Sequence, residues 1–307
     1  MILCCGEALI DMVPVDPLAD QSPYMPLSGG AIYNTSIALG RLEVPVHLLS
    51  GVSNDLFGKQ LASGLEASNV GTSLLMRSDR PTTLAFVKLI NGQANYTFYD
   101  ENSAGGAITT EDLPVLPDVS ALYFGGISLC TEPAASVYEH LALREAPSRV
   151  LMIDPNIRQS FIKDEGAYRA RIGRILDQAD IVKVSDEDLD WIETGTEAHD
   201  VKLERFCKKI GGLIIVTRGG DGASAYAGGS LIAHVKPPKT IVKDTVGAGD
   251  TFNAGFLASL HNAKVLDKQS IANISADDVE NALHYAAKVA AVTVSRSGAN
   301  PPFLKEL

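Results

Sequence analysis

Cysteine, tryptophan and basic charge are all scarce in this 307-residue chain: 4 Cys, 1 Trp, and 26 Lys plus Arg against 37 Asp plus Glu. Cys4, Cys5, Cys130 and Cys207 form no CxxC pair, and no histidine stands at metal-ligand spacing from them. That excludes a disulfide scaffold and a structural zinc site, and suits small buried hydrophobes in a reducing cytosol. A net charge of −11 leaves no broad basic face for duplex DNA or an anionic lipid surface. No apolar run approaches the ~20 residues of a membrane span. The opening MILCCGEALIDM meets Glu7 and Asp11 too early for a secretory leader. The expectation is a cytoplasmic protein that binds neither nucleic acid nor membrane. Any anion it takes must be held locally, by backbone N–H groups and a few cations. No GxxxxGK[ST] loop occurs and no GxGxxG follows the first strand. A P-loop and a dinucleotide-dependent oxidoreductase are therefore unsupported.

What is present has an ordinary globular balance, 46% hydrophobic and 21% charged. At roughly 150 residues per domain the length allows about two domains or a single large one. No repeat, low-complexity tract or long linker divides the chain, so one domain over 1–307 is expected. Continuous apolar runs predict strands at Ile2–Cys5, Val46–Ser50, Ala121–Phe124, Val150–Ile153, Ile181–Val184 and Leu213–Thr217. Helical periodicity falls on Ala31–Leu42, Leu56–Ser68, Ala134–Glu145, Ala167–Asp177, Val201–Ile210, Gly249–His261 and Asp277–Ser295. This alternation predicts an α/β fold with a central, mostly parallel sheet flanked by helices. Thr82–Ile90 and Gln93–Tyr99 break the alternation as two strands around Asn91–Gly92, a hairpin signal. With Met12–Val15 they suggest a small antiparallel β lid, spanning about 12–16 and 82–100. Its apolar residues Leu84, Phe86 and Val87 leave two outcomes open, a homodimer through the lid or a lid folded over its own site.

Lys243-Asp-Thr-Val-Gly-Ala-Gly-Asp-Thr-Phe-Asn-Ala-Gly255 is the most informative stretch. Glycines just before an apolar-periodic helix turn the backbone sharply and present bare N–H groups. Together with the helix dipole these make a site for a phosphate-like anion. Asp250 then falls in the first helical turn. Standing alone it would be ordinary dipole complementation, worth about 0.3–1 kcal/mol; facing the anion it would be a base.

It does not stand alone. Asp244-Thr-Val-Gly-Ala-Gly-Asp-Thr-Phe252 resembles the C-terminal signature of the ribokinase-like (PfkB) sugar and nucleoside kinases. Ser28-Gly-Gly-Ala-Ile-Tyr-Asn34, with Ala38-Leu-Gly-Arg-Leu42, resembles the N-terminal signature. Gly6-Glu-Ala-Leu-Ile-Asp11, Gly51-Val-Ser-Asn-Asp-Leu-Phe-Gly58 and Thr217-Arg-Gly-Gly-Asp-Gly222 follow the same family, in family order. Within it, Tyr96-Thr-Phe-Tyr-Asp-Glu-Asn-Ser-Ala104 and Asp154-Pro-Asn-Ile-Arg158 look most like bacterial fructokinases.

The resemblance implies an ATP-dependent transfer of the γ-phosphoryl group to a sugar hydroxyl, with fructose the first expectation. Ribokinase, nucleoside kinase and 2-keto-3-deoxygluconate kinase are alternatives of the same fold, and an inactive sugar or nucleotide sensor is one of another class. Asp250 matches the catalytic base, and Gly247, Ala248 and Gly249 the anion hole. Asp11, Gly29, Gly30 and Asn34 match sugar contacts. Phe98 and Arg158 are added as substrate-side candidates, against plain packing for the first and a surface cation for the second. Ser185, Thr217, Gly219 and Gly222 match the nucleotide segment. The family's NxxE motif is altered here to Ser185…Asp188. Asp188 would hold Mg²⁺ through water, with Glu187 as a substitute, although Ser185 also reads as an ordinary N-cap. Asp244 and carbonyls near Val246 and Gly298 are expected K⁺ ligands.

Overall fold

The computed structural model describes residues 1–16, 22–90 and 93–307, the side chains of 88–95 excepted. The Asn91–Gly92 turn lies outside the described residues.

Strand β1 (Ile2–Cys5) is buried along its whole length. Ile2 and Cys4 enter one apolar layer, Leu3 and Cys5 the other, so a continuous apolar run is what two covered faces require. Strand β2 (Leu9–Pro14) and β3 (Tyr24–Gly29) lead into helix α1 (Ala31–Arg41). Then come β4 (Val46–Ser53), α2 (Leu56–Ala67), β5 (Val70–Gly71), β6 (Leu75–Ser78), β7 (Leu84–Ile90) and β8 (Gln93–Tyr99). The central strands β9 (Ala121–Gly125), β10 (Val150–Asp154), β11 (Ile181–Ser185) and β12 (Leu213–Thr217) follow. They alternate with α3 (Ala134–Glu145), α4 (Glu165–Leu176), α5 (Asp186–Ile192) and α6 (His199–Lys209). The hairpin β13 (Ala223–Ala227) and β14 (Ser230–Val235) precedes α7 (Ala248–Asn262), α8 (Lys268–Ala272) and α9 (Ala276–Val294).

The main sheet runs β14-β13-β12-β11-β10-β9-β1-β4-β5, with β6 beside β4. It is parallel from β12 to β5 and antiparallel at β12/β13 and β13/β14. One face packs on α1, α7 and α9, the other on α3, α4 and α6. All four cysteines are free thiols, three buried and Cys130 half-buried. Among the described residues no helix is long and apolar enough to cross a membrane.

The small sheet beside it runs β3-β2-β7-β8. It is antiparallel at β2/β3 and β7/β8, and the two hairpins are joined by a parallel β2/β7 pairing. Strand β3 has no counterpart among the predicted strands, because Pro26, Ser28 and Gly29 read as loop. Its exposed Tyr24, Met25 and Leu27 show that it lies on an edge, where proline is tolerated. The β13/β14 hairpin was legible in Gly228–Gly229, two residues with positive φ of 56° and 79°. That is a two-residue hairpin turn overlooked between two short apolar runs.

Candidate active site

Parallel strands in an open sheet leave a crevice at their carboxyl ends. Here it is a cavity of about 510 Å³ bounded by the ends of β10, β11 and β12, the start of α1, the small sheet and the start of α7. A larger hollow of about 1190 Å³ lies under the small sheet and shares Tyr96, Phe98, Ser160 and Phe161 with the first. The larger one lacks Asp250; the smaller is lined by it together with Gly247, Gly249 and Asp11.

Gly247 adopts the left-handed conformation (φ 76°) as N-cap of α7, with no side-chain cap. A β-carbon there would stand 2.7 Å from the Ala299 side chain, so only glycine is accommodated. This turn uses the Ala248 amide, which donates to Thr245 O at 3.2 Å. Of the three amides expected in the anion hole, Ala248 is thus spent within the loop. The Gly247 and Gly249 N–H groups, joined by that of Asp250, have no protein acceptor among the described residues. They are the ordinary orphan donors of a helix start, left open to the cavity.

Asp250 is 7% exposed, and its Oδ2 accepts from Asn34 Nδ2 at 2.9 Å. Burial is the main reason its pKa is pushed up to about 7. The Asn34 bond opposes that rise, Asp154 adds to it, and Arg158 and Lys183 oppose it. A carboxylate poised near neutrality is what a general base needs. If Asp250 is the base, kcat/KM falls about tenfold per pH unit below 7. Asn34→Ala removes a hydrogen bond that favours the charged form, worth about 1.5–3 kcal/mol. The acid limb should then move upward by about one unit or more; an unmoved limb would contradict the coupling.

The same shift carries a stability consequence. A carboxylate whose folded pKa lies above its unfolded value of about 3.9 makes the folded state hold the extra proton, so stability falls as pH rises from 4 to 7. Asp250→Asn should therefore melt higher than the unliganded wild type above pH 7. The gap should close toward pH 4 in a pair of thermal melts.

Asp11, on β2, is half-buried and lines the cavity, and burial pushes its pKa up to about 6. A β-carbon on Gly29 would run into Asp11 Oδ2, so Gly29 clears the space in which that carboxylate sits. Gly30 starts α1 at φ 104° and lines the cavity with Asn34. Phe98 lies on the cavity wall against Phe161, which sequence inspection missed. Arg158 is exposed at the cavity; the only hydrogen bond of its guanidinium among the described residues goes to Ile157 O.

On the opposite side, Ser185 and Thr217 line the cavity at the ends of β11 and β12. Gly219 and Gly222 lie outside its lining. Gly222 is explained by packing, since a β-carbon there would strike Val235 O. Asp188 is spent structurally. Its Oδ2 accepts from Ser185 N and Oγ, and its Oδ1 from Ile157 N at 2.8 Å. It closes a capping box on α5 and ties that helix to the loop after β10. Exposed Glu187 lines the cavity without such bonds. Asp244 joins two loops, its oxygens accepting from Val246 N and Gly298 N.

Glu7 and Lys183 were not singled out from the sequence. Glu7 accepts from Ala31 N (2.9 Å), Ile32 N and Ser128 N, fixing the start of α1. Lys183, on β11, pairs with fully buried Asp154. A lysine inside an otherwise apolar strand was the signal for it.

A buried carboxylate beside open amides at a helix start, with a second carboxylate lining the same cavity, is an arrangement suited to phosphoryl transfer. The chain belongs to the pfkB family carbohydrate kinases, whose model it matches over residues 1–306. It is a sugar kinase, a phosphotransferase with an alcohol acceptor. It is 48% identical over 282 residues to a fructokinase of Rhizobium leguminosarum bv. trifolii, covering 92% of this chain and 86% of that one. A probable chloroplastic fructokinase-6 of Arabidopsis thaliana is 33% identical, over 98% of this chain and 79% of that one. Among solved structures, the fructokinase of Xylella fastidiosa with bound ATP superposes with a TM-score of 0.88 at 25% identity, covering 99% of this chain and 96% of that one.

Proposed function

We propose that the acceptor is fructose and that Asp250 is the base of the transfer. The observation that carries the proposal is the buried Asp250 carboxylate set beside the open amides of Gly247 and Gly249, with Asp11 across the same cavity. The fructokinase names of the relatives at 48% and 33% identity support the choice of sugar. Asp250 takes the proton of a sugar hydroxyl as that oxygen bonds to the γ-phosphorus. The phosphorus–oxygen bond to ADP breaks, and ADP leaves with the electron pair. The amides at the start of α7 hold the charge spread over the transferring group. Asp11 and Asn34 orient the sugar, with Phe98 against its apolar side and Arg158 at the phosphate side. The nucleotide lies along Ser185 and Thr217.

Mg²⁺ bound with the nucleotide would neutralise phosphate charge. Glu187, an exposed hard-oxygen donor on the cavity wall, suits a water-mediated contact to it better than the fully engaged Asp188. K⁺ would be held by Asp244 and carbonyls near Val246 and Gly298. The place of action is the cytoplasm, and two chains pair through the small sheet, where Tyr24, Met25, Leu27, Tyr96 and Tyr99 are exposed. Light scattering at twice the chain mass would support that pairing; the mass of one chain would contradict it.

A coupled assay of ADP release tests the substrate. Fructose should exceed ribose, adenosine and 2-keto-3-deoxygluconate in kcat/KM by at least tenfold. Preference for one of the others would move the enzyme to another branch of its family, and no turnover with any would leave a sensor.

A further inference from the structure

Lys183 is a cation with more donors than partners. Its side chain is 6% exposed, and its Nζ donates to Asp154 Oδ2 at 2.8 Å. An ammonium carries three donors, and among the described residues no second acceptor meets this one. The Asp154 side is closed: its Oδ2 also takes Asn253 Nδ2 at 2.7 Å, and its Oδ1 takes Asn156 N at 3.2 Å. Lys183 lines the cavity, and a β-carbon built on Gly249 would stand 3.6 Å from Nζ. The unspent donors therefore sit beside the open Gly249 amide. A buried cation left short of acceptors is costly unless a ligand supplies them.

We propose that Lys183 is a further catalytic residue, donating to a non-bridging oxygen of the phosphoryl group in transfer and completing the cradle formed by the Gly247 and Gly249 amides. The proposal rests on the kinase function above and deepens it. Lys183 keeps its proton throughout; the hydroxyl proton goes to Asp250 and the electron pair leaves with ADP. Burial works against the charged ammonium, but Asp154, Asp188 and Asp250 around it prevail and raise its pKa. Asp154 holds Nζ in place and offsets its charge. A structural ion pair alone would need no opening to the cavity.

The test separates pairing from catalysis. Lys183→Met leaves Asp154 buried without its partner, so the informative variant is Lys183→Met with Asp154→Asn, which removes both charges together. That double variant should melt as a folded protein with kcat at least about 10²-fold down, the loss typical of one oxyanion donor. A folded double variant keeping more than about a tenth of wild-type kcat overturns the proposal. Should the double variant not fold, Lys183→Ala decides. Propylammonium should restore turnover and propanol of the same shape should not; equal effects of the two, or none, overturn it. Wild-type enzyme assayed in parallel keeps the readings apart. An inactive wild type would sink the kinase function, whereas an active wild type with active variants sinks only the role of Lys183.

Discussion

Asp250→Asn is expected to fold and to lose about 10²–10⁴-fold in kcat, the range of a positioned general base. The amide oxygen still accepts from Asn34 Nδ2, which now reaches Asp250 at 2.9 Å, and the side chain keeps its volume in a site 7% exposed. What disappears is the capacity to take a proton. The open amides of Gly247 and Gly249 and the Asp11 carboxylate are untouched, so sugar and nucleotide should bind nearly as before. The loss should then fall equally on kcat and kcat/KM, the pattern of an interaction used only in the transition state. The higher melting temperature expected above pH 7 gives an internal control for folding. A folded variant with near-normal turnover would refute the role.

Asp11→Ala should weaken the sugar side instead. Hydrogen bonds between a charged carboxylate and sugar hydroxyls contribute about 1.5–3 kcal/mol, so kcat/KM for the sugar should fall about 10- to 150-fold. The KM for ATP should change little, because Ser185 and Thr217 lie on the other wall of the cavity. Gly29→Ala offers an independent route to the same loss, since its β-carbon would occupy the place of Asp11 Oδ2. If the two positions act through one carboxylate, Gly29→Ala should cost little once Asp11 is alanine. A double-mutant cycle on kcat/KM with full additivity would contradict that coupling.

The six strands predicted for the main sheet and the seven predicted helices are all present, because each of those strands is an apolar run and each helix carries its own periodicity. Helix ends moved where caps ruled: Asp164 accepts from Ala167 N and starts α4 at Glu165, ahead of the apolar pattern. Strand β4 runs on to Ser53 because β6 pairs with Ser50–Ser53, a partner distant in sequence that no local pattern announces. The site was legible wherever a motif required glycine or a carboxylate at fixed spacing, as at Asp250, Gly247, Gly29 and Asp11. It was illegible where a residue is consumed by tertiary hydrogen bonds. The loop amide that takes one oxygen of Asp188 lies 31 residues away, and only the fold brings Ile157 N to it. The same holds for Asn34. Its place in the motif suggests a sugar contact, but nothing local shows that its amide nitrogen donates to Asp250, 216 residues away. Lys183 escaped notice because a lysine in a strand says nothing of Asp154 until β10 and β11 lie side by side.

The most direct test is a crystal structure with fructose and a non-hydrolysable ATP analogue. One fructose hydroxyl should lie about 2.6–3.2 Å from an Asp250 carboxylate oxygen, in line with the terminal phosphorus, whose oxygens meet the Gly247 and Gly249 amides. A sugar seated elsewhere, with Asp250 facing only solvent and no hydroxyl within reach, would contradict the account.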